Sequence, residues 1–138
     1  MKKILSNKNI WLPIFFFGFI YVLISFGNHY NFRTYARDLG IFTNALYDYS
    51  TFHWNEPTVL HLYLKNILGD HFILIALLIS PFTWIFGSYT LLVFQILSIL
   101  FGGFGVYRII NNKFGKTIAT LALIHFFFNL GNLFCFSF

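Results

Sequence analysis

The sequence predicts an all-α integral membrane protein, with about three transmembrane helices and further helices lying at the membrane interface in its first outer loop. Three observations carry this. First, 58% of the residues are hydrophobic and only 9% are charged, with a mean hydropathy of +0.72, whereas a soluble domain carries about 25% charged residues. A domain of 138 residues keeps too large a share of its surface exposed to hide this much apolar area from water, so its main solvent is lipid. Second, uncharged apolar runs of spanning length recur along the chain. Third, the basic residues flank those runs: Lys2, Lys3 and Lys8 precede the first, and Arg108, Lys113 and Lys116 separate two later ones. That is the layout of cytoplasmic anchors. The net charge of +5 forms no basic stripe with interleaved polar groups, which argues against nucleic acid as a partner. Membrane lipid is the expected partner, and the oligomeric state is left open.

The first run, Ile10 to Phe26, has 17 residues without a charge, roughly 26 Å of helix and enough for a thin hydrocarbon core. Pro13 is expected in its first turn, where a missing N–H matters little. "GNHYNF" after the run holds no small-x-small cleavage site, so the segment reads as an uncleaved signal anchor rather than a removed signal peptide. Its N-terminus is then cytoplasmic, and residues 27–88 form an outer loop. The run from 71 to 87 contains Pro81, which disfavours helix at Ser80, and Trp84 among phenylalanines, which suits an interface. A helix lying at or dipping into the outer interface is preferred there, with a true fourth span as the alternative. A second span at 89–107 then returns the basic cluster to the cytoplasm, and a third runs over 117–136. The single domain, 1–138, is expected to be a fragment of a longer polytopic protein in the cytoplasmic membrane of a prokaryote. By itself it is expected to be catalytically inert. Cys135 is the sole cysteine, so the chain forms no internal disulfide.

All four acidic residues, Asp38, Asp48, Glu56 and Asp70, fall in the outer loop. Leu39, Phe42, Ala45, Leu46 and Tyr49 recur at steps of three and four, the spacing of one helix face, and predict an amphipathic interfacial helix over about 37–50. "HWNEPT" is turn material closed by Pro57, and "VLHLYLK" is open between strand and short helix. Gly102, Gly103 and Gly105 are expected to allow close helix packing rather than to bind phosphate, and Gln95 to make an interhelical hydrogen bond. His53 and His61 read as interfacial polar groups.

"RDLGIFTNALYDYS", then "LGDHFILIALLISPFTWIFGSYTLLVFQILSILFGGFGVYRI", then "NLGNLFCFSF" resembles a family of polytopic predicted membrane proteins of bacteria and archaea, of unknown function. That family is similar to the GT-C glycosyltransferases, among them the protein mannosyltransferases and the lipid A aminoarabinose transferases. The likeness covers about residues 33–138 and corresponds to the N-terminal part of a family member. Its most specific elements are "DLGIF", from Asp38, and "DHF", from Asp70. Family members carry an acidic residue and a histidine near "NLFCFSF", where Cys135 and Ser137 stand in this chain. The resemblance implies a GT-C-like N-terminal part, an essential acid after the first span matched by Asp38, and a donor sugar on a polyprenyl phosphate presented at the outer face.

The chemistry can be argued without the resemblance. Glycosyl transfer needs an acceptor group deprotonated and a phosphate leaving group stabilised. A carboxylate at a lipid–water boundary, partly desolvated, is a suitable base, the role that the resemblance implies for Asp38. Arginine holds phosphate bidentately, which makes Arg33 or Arg37 a candidate to hold the donor. Asp70 and His71 are expected to support the base or to join a divalent metal with Asp38, although no metal is specified by these residues. The blander readings are a solvated ion pair for Arg37 and Asp38 and a structural role for His71 at a helix start. The rival function is a non-enzymatic membrane protein, a transporter component or small scaffold. Transporters place ionisable groups inside their spans, and only His125 lies near the middle of one.

Overall fold

In the computed structural model of the chain the described residues are 8–34, 36–55 and 74–136, with side chains at 10–34, 39–55 and 74–129. Every regular element among them is helical. α1 spans Lys8–Tyr30, α2 Ala36–Ser50, α3 Leu74–Ile79, α4 Thr83–Phe86, α5 Thr90–Phe114 and α6 Lys116–Phe136, with 3₁₀ turns at Ser80–Phe82 and Gly87–Tyr89. Two stretches are long and apolar enough to cross a membrane: Ile10–Tyr30, and the 41 residues of Leu74–Phe114. At 1.5 Å per residue the second would extend to roughly 60 Å, about twice the hydrocarbon core. It cannot be one straight crossing, and the breaks at 80–89 matter.

The breaks have a local cause. Pro81 has no N–H for the carbonyl of Leu77, four residues back, and Ser80 Oγ donates to that oxygen instead at 2.9 Å. Thr83 Oγ1 donates to Ser80 O and Thr90 Oγ1 to Gly87 O, both at 2.7 Å. The Ser80 hydroxyl thus satisfies the acceptor that Pro81 leaves open, as an apolar surrounding requires, while Ser80 O and Gly87 O also accept the backbone N–H of Thr83 and Thr90. Gly87, at φ 55°, turns the chain between the pieces.

The helices separate into two compact units. The first takes the described residues up to Gly27 together with those from Gln95 onward. Its core comprises Ile10, Ile14, Phe17 and Tyr21 from α1, Ile96 and Tyr107 from α5, and Ala119, Leu123 and Phe127 from α6. Each set follows one helical stripe. The opposite faces are equally apolar, with Leu12, Phe15, Phe16, Phe19 and Phe101 exposed, as suits helices solvated by lipid. Gly103 lies directly beneath Phe127. A Cβ added there would collide with the phenyl ring and sit 3.1 Å from Leu123 Cδ1. At Gly102 an added Cβ would lie 3.4 Å from the Phe126 ring, an ordinary contact, and at Gly105 it would meet nothing within 4 Å. Of the three glycines, Gly103 is the one whose missing side chain close packing requires.

The second unit, Asn28–Phe94, is built on α2. Ala45, Leu46 and Tyr49 are buried with Ala76, and Ile41, Phe42, Ile79 and Leu91 pack against them. The apolar face of α2 is thus covered by α3 and the start of α5.

Some local expectations are corrected. α1 begins at Lys8, so Pro13 lies inside the helix rather than in its first turn. α1 and α5 both outrun their apolar runs, because residues 27–30 and 108–114 hold no proline to stop a helix. Gln95 is exposed and makes no interhelical hydrogen bond among the described residues.

α1 and α2 end in the same way. Phe32 N donates to His29 O at 3.1 Å and Arg33 N to Asn28 O at 2.8 Å, with Phe32 at φ 55°. Phe52 N donates to Tyr49 O at 3.2 Å and His53 N to Asp48 O at 2.8 Å, with Phe52 at φ 59°. Both are Schellman caps, in which the left-handed residue is usually glycine. A side chain there costs roughly 1–2 kcal/mol. α5 ends with the usual residue, Gly115, at φ 84°.

Candidate functional site

α1 delivers His29 to its last turn, and the Schellman cap then folds the chain back toward the start of α2. His29 Nδ1 lies 3.2 Å from Thr34 Oγ1 and Nε2 lies 3.1 Å from Ser88 Oγ. Its ring meets Tyr89 edge to face, centroids 4.6 Å apart. Both ring nitrogens are thereby held by hydroxyls, which can donate or accept as the tautomer demands. One histidine ties the end of α1, the turn at 34 and the 3₁₀ turn before α5.

Beside it opens a cavity of about 510 Å³, lined by His29, Phe32 and Thr34, by Leu39, Gly40, Thr43, Asn44 and Tyr47 of α2, and by Thr83, Gly87 and Ser88. The wall is mainly apolar, with a few convergent polar groups and no formal charge among the lining residues. That combination suits an organic ligand held by shape and a few hydrogen bonds. Thr43 Oγ1 is buried without a hydrogen-bond partner.

The residues assigned from sequence stand as follows. Asp38 is the third residue of α2, and Arg37 the second; each precedes by one to three positions the Leu39 and Gly40 that line the cavity. Their side chains lie outside the described set. Arg33 is exposed at the cap of α1 and does not line the cavity. Asp70 and His71 lie outside the described residues. Among those described, no group of three or more His, Cys, Asp or Glu side chains could hold a metal ion. The residues that would be its ligands, Asp38, Asp70 and His71, are not among the side chains tested.

At the far end of α2, Asp48 is structural. Its Oδ2 accepts from Asn55 Nδ2 at 2.8 Å and from Asn44 Nδ2 at 3.4 Å. Asn55 is fully buried, and its Oδ1 has no partner. The Asp48 carbonyl also accepts from Thr51 N and His53 N. Sequence reasoning missed His29, whose only signal was to be the one basic residue in the last turn of an apolar helix.

A family described as "Predicted membrane protein (DUF2079)" matches residues 28–138. The match begins where the second unit begins and includes every residue that lines the cavity. No curated protein matches the chain, and no solved structure does.

Proposed function

Given that this chain belongs to the DUF2079 family of predicted membrane proteins, we propose that it is the N-terminal part of a GT-C-like glycosyltransferase. Its donor is a sugar on polyprenyl phosphate, taken at the outer face of the cytoplasmic membrane. The observation that carries the reading is the position of Arg37 and Asp38: they occupy the first turn of α2, next to residues that line a largely apolar cavity directly after the first candidate span. The turn is reached within a few residues of the membrane boundary, where a lipid-linked substrate presents its head group.

In this reading Asp38 takes the proton of the acceptor hydroxyl or amine. The freed electron pair attacks the anomeric carbon, and the bond to the phosphate oxygen breaks, leaving the polyprenyl phosphate dianion. Arg33 and Arg37 neutralise that charge with paired N–H donors, and Asp70 and His71 orient the base. The N-terminus is cytoplasmic, as the lysines before α1 favour, and α3 and α4 lie at the outer interface.

Asp38→Asn in the full-length protein tests the assignment. General base catalysis contributes about 10²–10⁴-fold, so turnover of a polyprenyl-phosphate sugar should nearly vanish while expression and donor binding persist. An acid in the first helical turn also stabilises the helix by about 0.3–1 kcal/mol, so thermal stability is measured alongside. A loss of activity no larger than that destabilisation explains would reject Asp38 as the base. Full activity would reject Asp38 as the base and keep the enzyme, whereas no turnover by the unaltered full-length protein would leave the non-enzymatic reading, a transporter component or scaffold. Impermeant labelling of single cysteines at 48 and 113, after replacement of Cys135, tests the orientation, which requires 48 outside and 113 inside.

A further inference from the structure

The two Schellman caps share an anomaly. The position after each helix that normally carries glycine carries phenylalanine, at φ 55° for Phe32 and 59° for Phe52. Neither ring is repaid by burial, for Phe32 is 94% exposed and Phe52 99% exposed. The residue that follows is a basic or ionisable one in both cases, Arg33 and His53, and both are exposed. The contact that usually accompanies this cap, an apolar side chain at the next position packing back on the helix, is therefore missing twice. A bulky ring in a left-handed conformation persists only where something else stabilises it, and among the described residues neither ring is packed against another.

We propose that Phe32 and Phe52 are membrane wedges: strained caps that push an aromatic ring into the headgroup–acyl boundary while the next residue meets the lipid headgroups. The occupant is lipid because of where the caps stand. The candidate span Ile10–Tyr30 is long enough to reach from one boundary to the other, and Phe32 follows it by two residues. Around the second cap, Trp54 is 71% exposed and Tyr47 62% exposed, the residue types that concentrate at membrane interfaces. Arg33 adds attraction to anionic headgroups. The left-handed cap ends each helix sharply and leaves the ring largely exposed, Phe32 beside the cavity that it helps to line. This assignment does not depend on any catalytic activity.

The test uses the full chain in vesicles of phosphatidylethanolamine and phosphatidylglycerol. With Cys135 replaced by serine, nitroxides are attached through Phe32→Cys, Phe52→Cys and, as a water-facing reference beside Lys113, Asn112→Cys. Collision with oxygen and with a nickel chelate present on both sides is then measured. The oxygen-to-nickel ratio should be severalfold higher at 32 and at 52 than at 112. Free access of nickel to either ring position would overturn the proposal, and so would protection from both reagents, which marks a protein partner. A second arm avoids the apolar label. With Trp11 and Trp84 changed to phenylalanine, Trp54 is the only indole, and Phe52→Gly favours the cap's backbone and keeps the fold. Trp54 emission should shift to longer wavelength and become more open to iodide when Phe52 is removed. An unchanged spectrum refutes the wedge at that site.

Discussion

Tyr21 on α1 donates its hydroxyl proton to the backbone carbonyl of Phe127 on α6, 2.7 Å away and 106 residues later in the chain. The bond is buried, and the same two rings meet edge to face with centroids 6.2 Å apart. A tyrosine inside an apolar stripe needs a partner for its hydroxyl, and this carbonyl also accepts from its own helix, so one oxygen locks two helices together. Tyr21→Phe keeps the ring and loses the bond. It should lower stability by about 0.5–1.5 kcal/mol, near the lower end in a membrane setting. Thermal unfolding in detergent micelles reads this out, and an unshifted midpoint would show the bond to be dispensable.

Gly103 lies beneath the fully buried Phe127 ring. Gly103→Ala should destabilise by about 1–3 kcal/mol, the usual penalty of overpacking, because a ring buried on all sides has nowhere to move. Gly105→Ala, with open space around it, should be neutral or slightly stabilising through helix propensity. The comparison needs only helix content and thermal midpoints of the two variants. Equal effects would refute the packing role.

Asp48 anchors the turn after α2 through Asn55. Asp48→Ala would leave a buried amide without an acceptor, at about 1–3 kcal/mol. Asp48→Asn can present a carbonyl oxygen to the same donor and should be mild. Limited proteolysis after residue 50 would report the difference, with faster cleavage in the alanine variant alone. This makes Asp48→Asn a fair comparison for Asp38→Asn, and Asp48→Ala an unsuitable one.

His29 joins Thr34 and Ser88. His29→Phe keeps a ring against Tyr89 but removes both hydroxyl bonds. A loss of about 0.5–1.5 kcal/mol per bond bounds the effect from above, since the contact to Ser88 is exposed. The chain around the cavity should loosen, which hydrogen exchange at 31–34 and 87–89 would detect. Unchanged exchange there would mean that the histidine does not hold the cavity together.

Composition alone puts the chain in lipid, since 58% apolar residues with 9% charged leave no aqueous alternative, and a backbone in lipid satisfies its own hydrogen bonds as helix. The sequence determined α2 as well: Leu39, Phe42, Ala45, Leu46 and Tyr49 follow the helical period, and an amphipathic pattern is legible because one face differs from the other. The same logic fails for α1, α5 and α6, which are apolar on every side. There hydrophobicity cannot say which stripe packs and which meets lipid, so the core of Ile14, Phe17, Tyr21, Leu123 and Phe127 emerged only from the tertiary structure. What decides it is shape: the missing side chain of Gly103 admits one ring, and the hydroxyl of Tyr21 finds one carbonyl. His29 was equally hidden, because its partners Thr34 and Ser88 are set by how the chain turns back, at distances in sequence that no local period encodes. The caps were hidden most completely. Glycine announces a left-handed helix end, and at Phe32 and Phe52 the backbone takes that conformation with a bulky residue poorly suited to it. Sequence reads burial and period; close approach, turn geometry and strain belong to the folded chain.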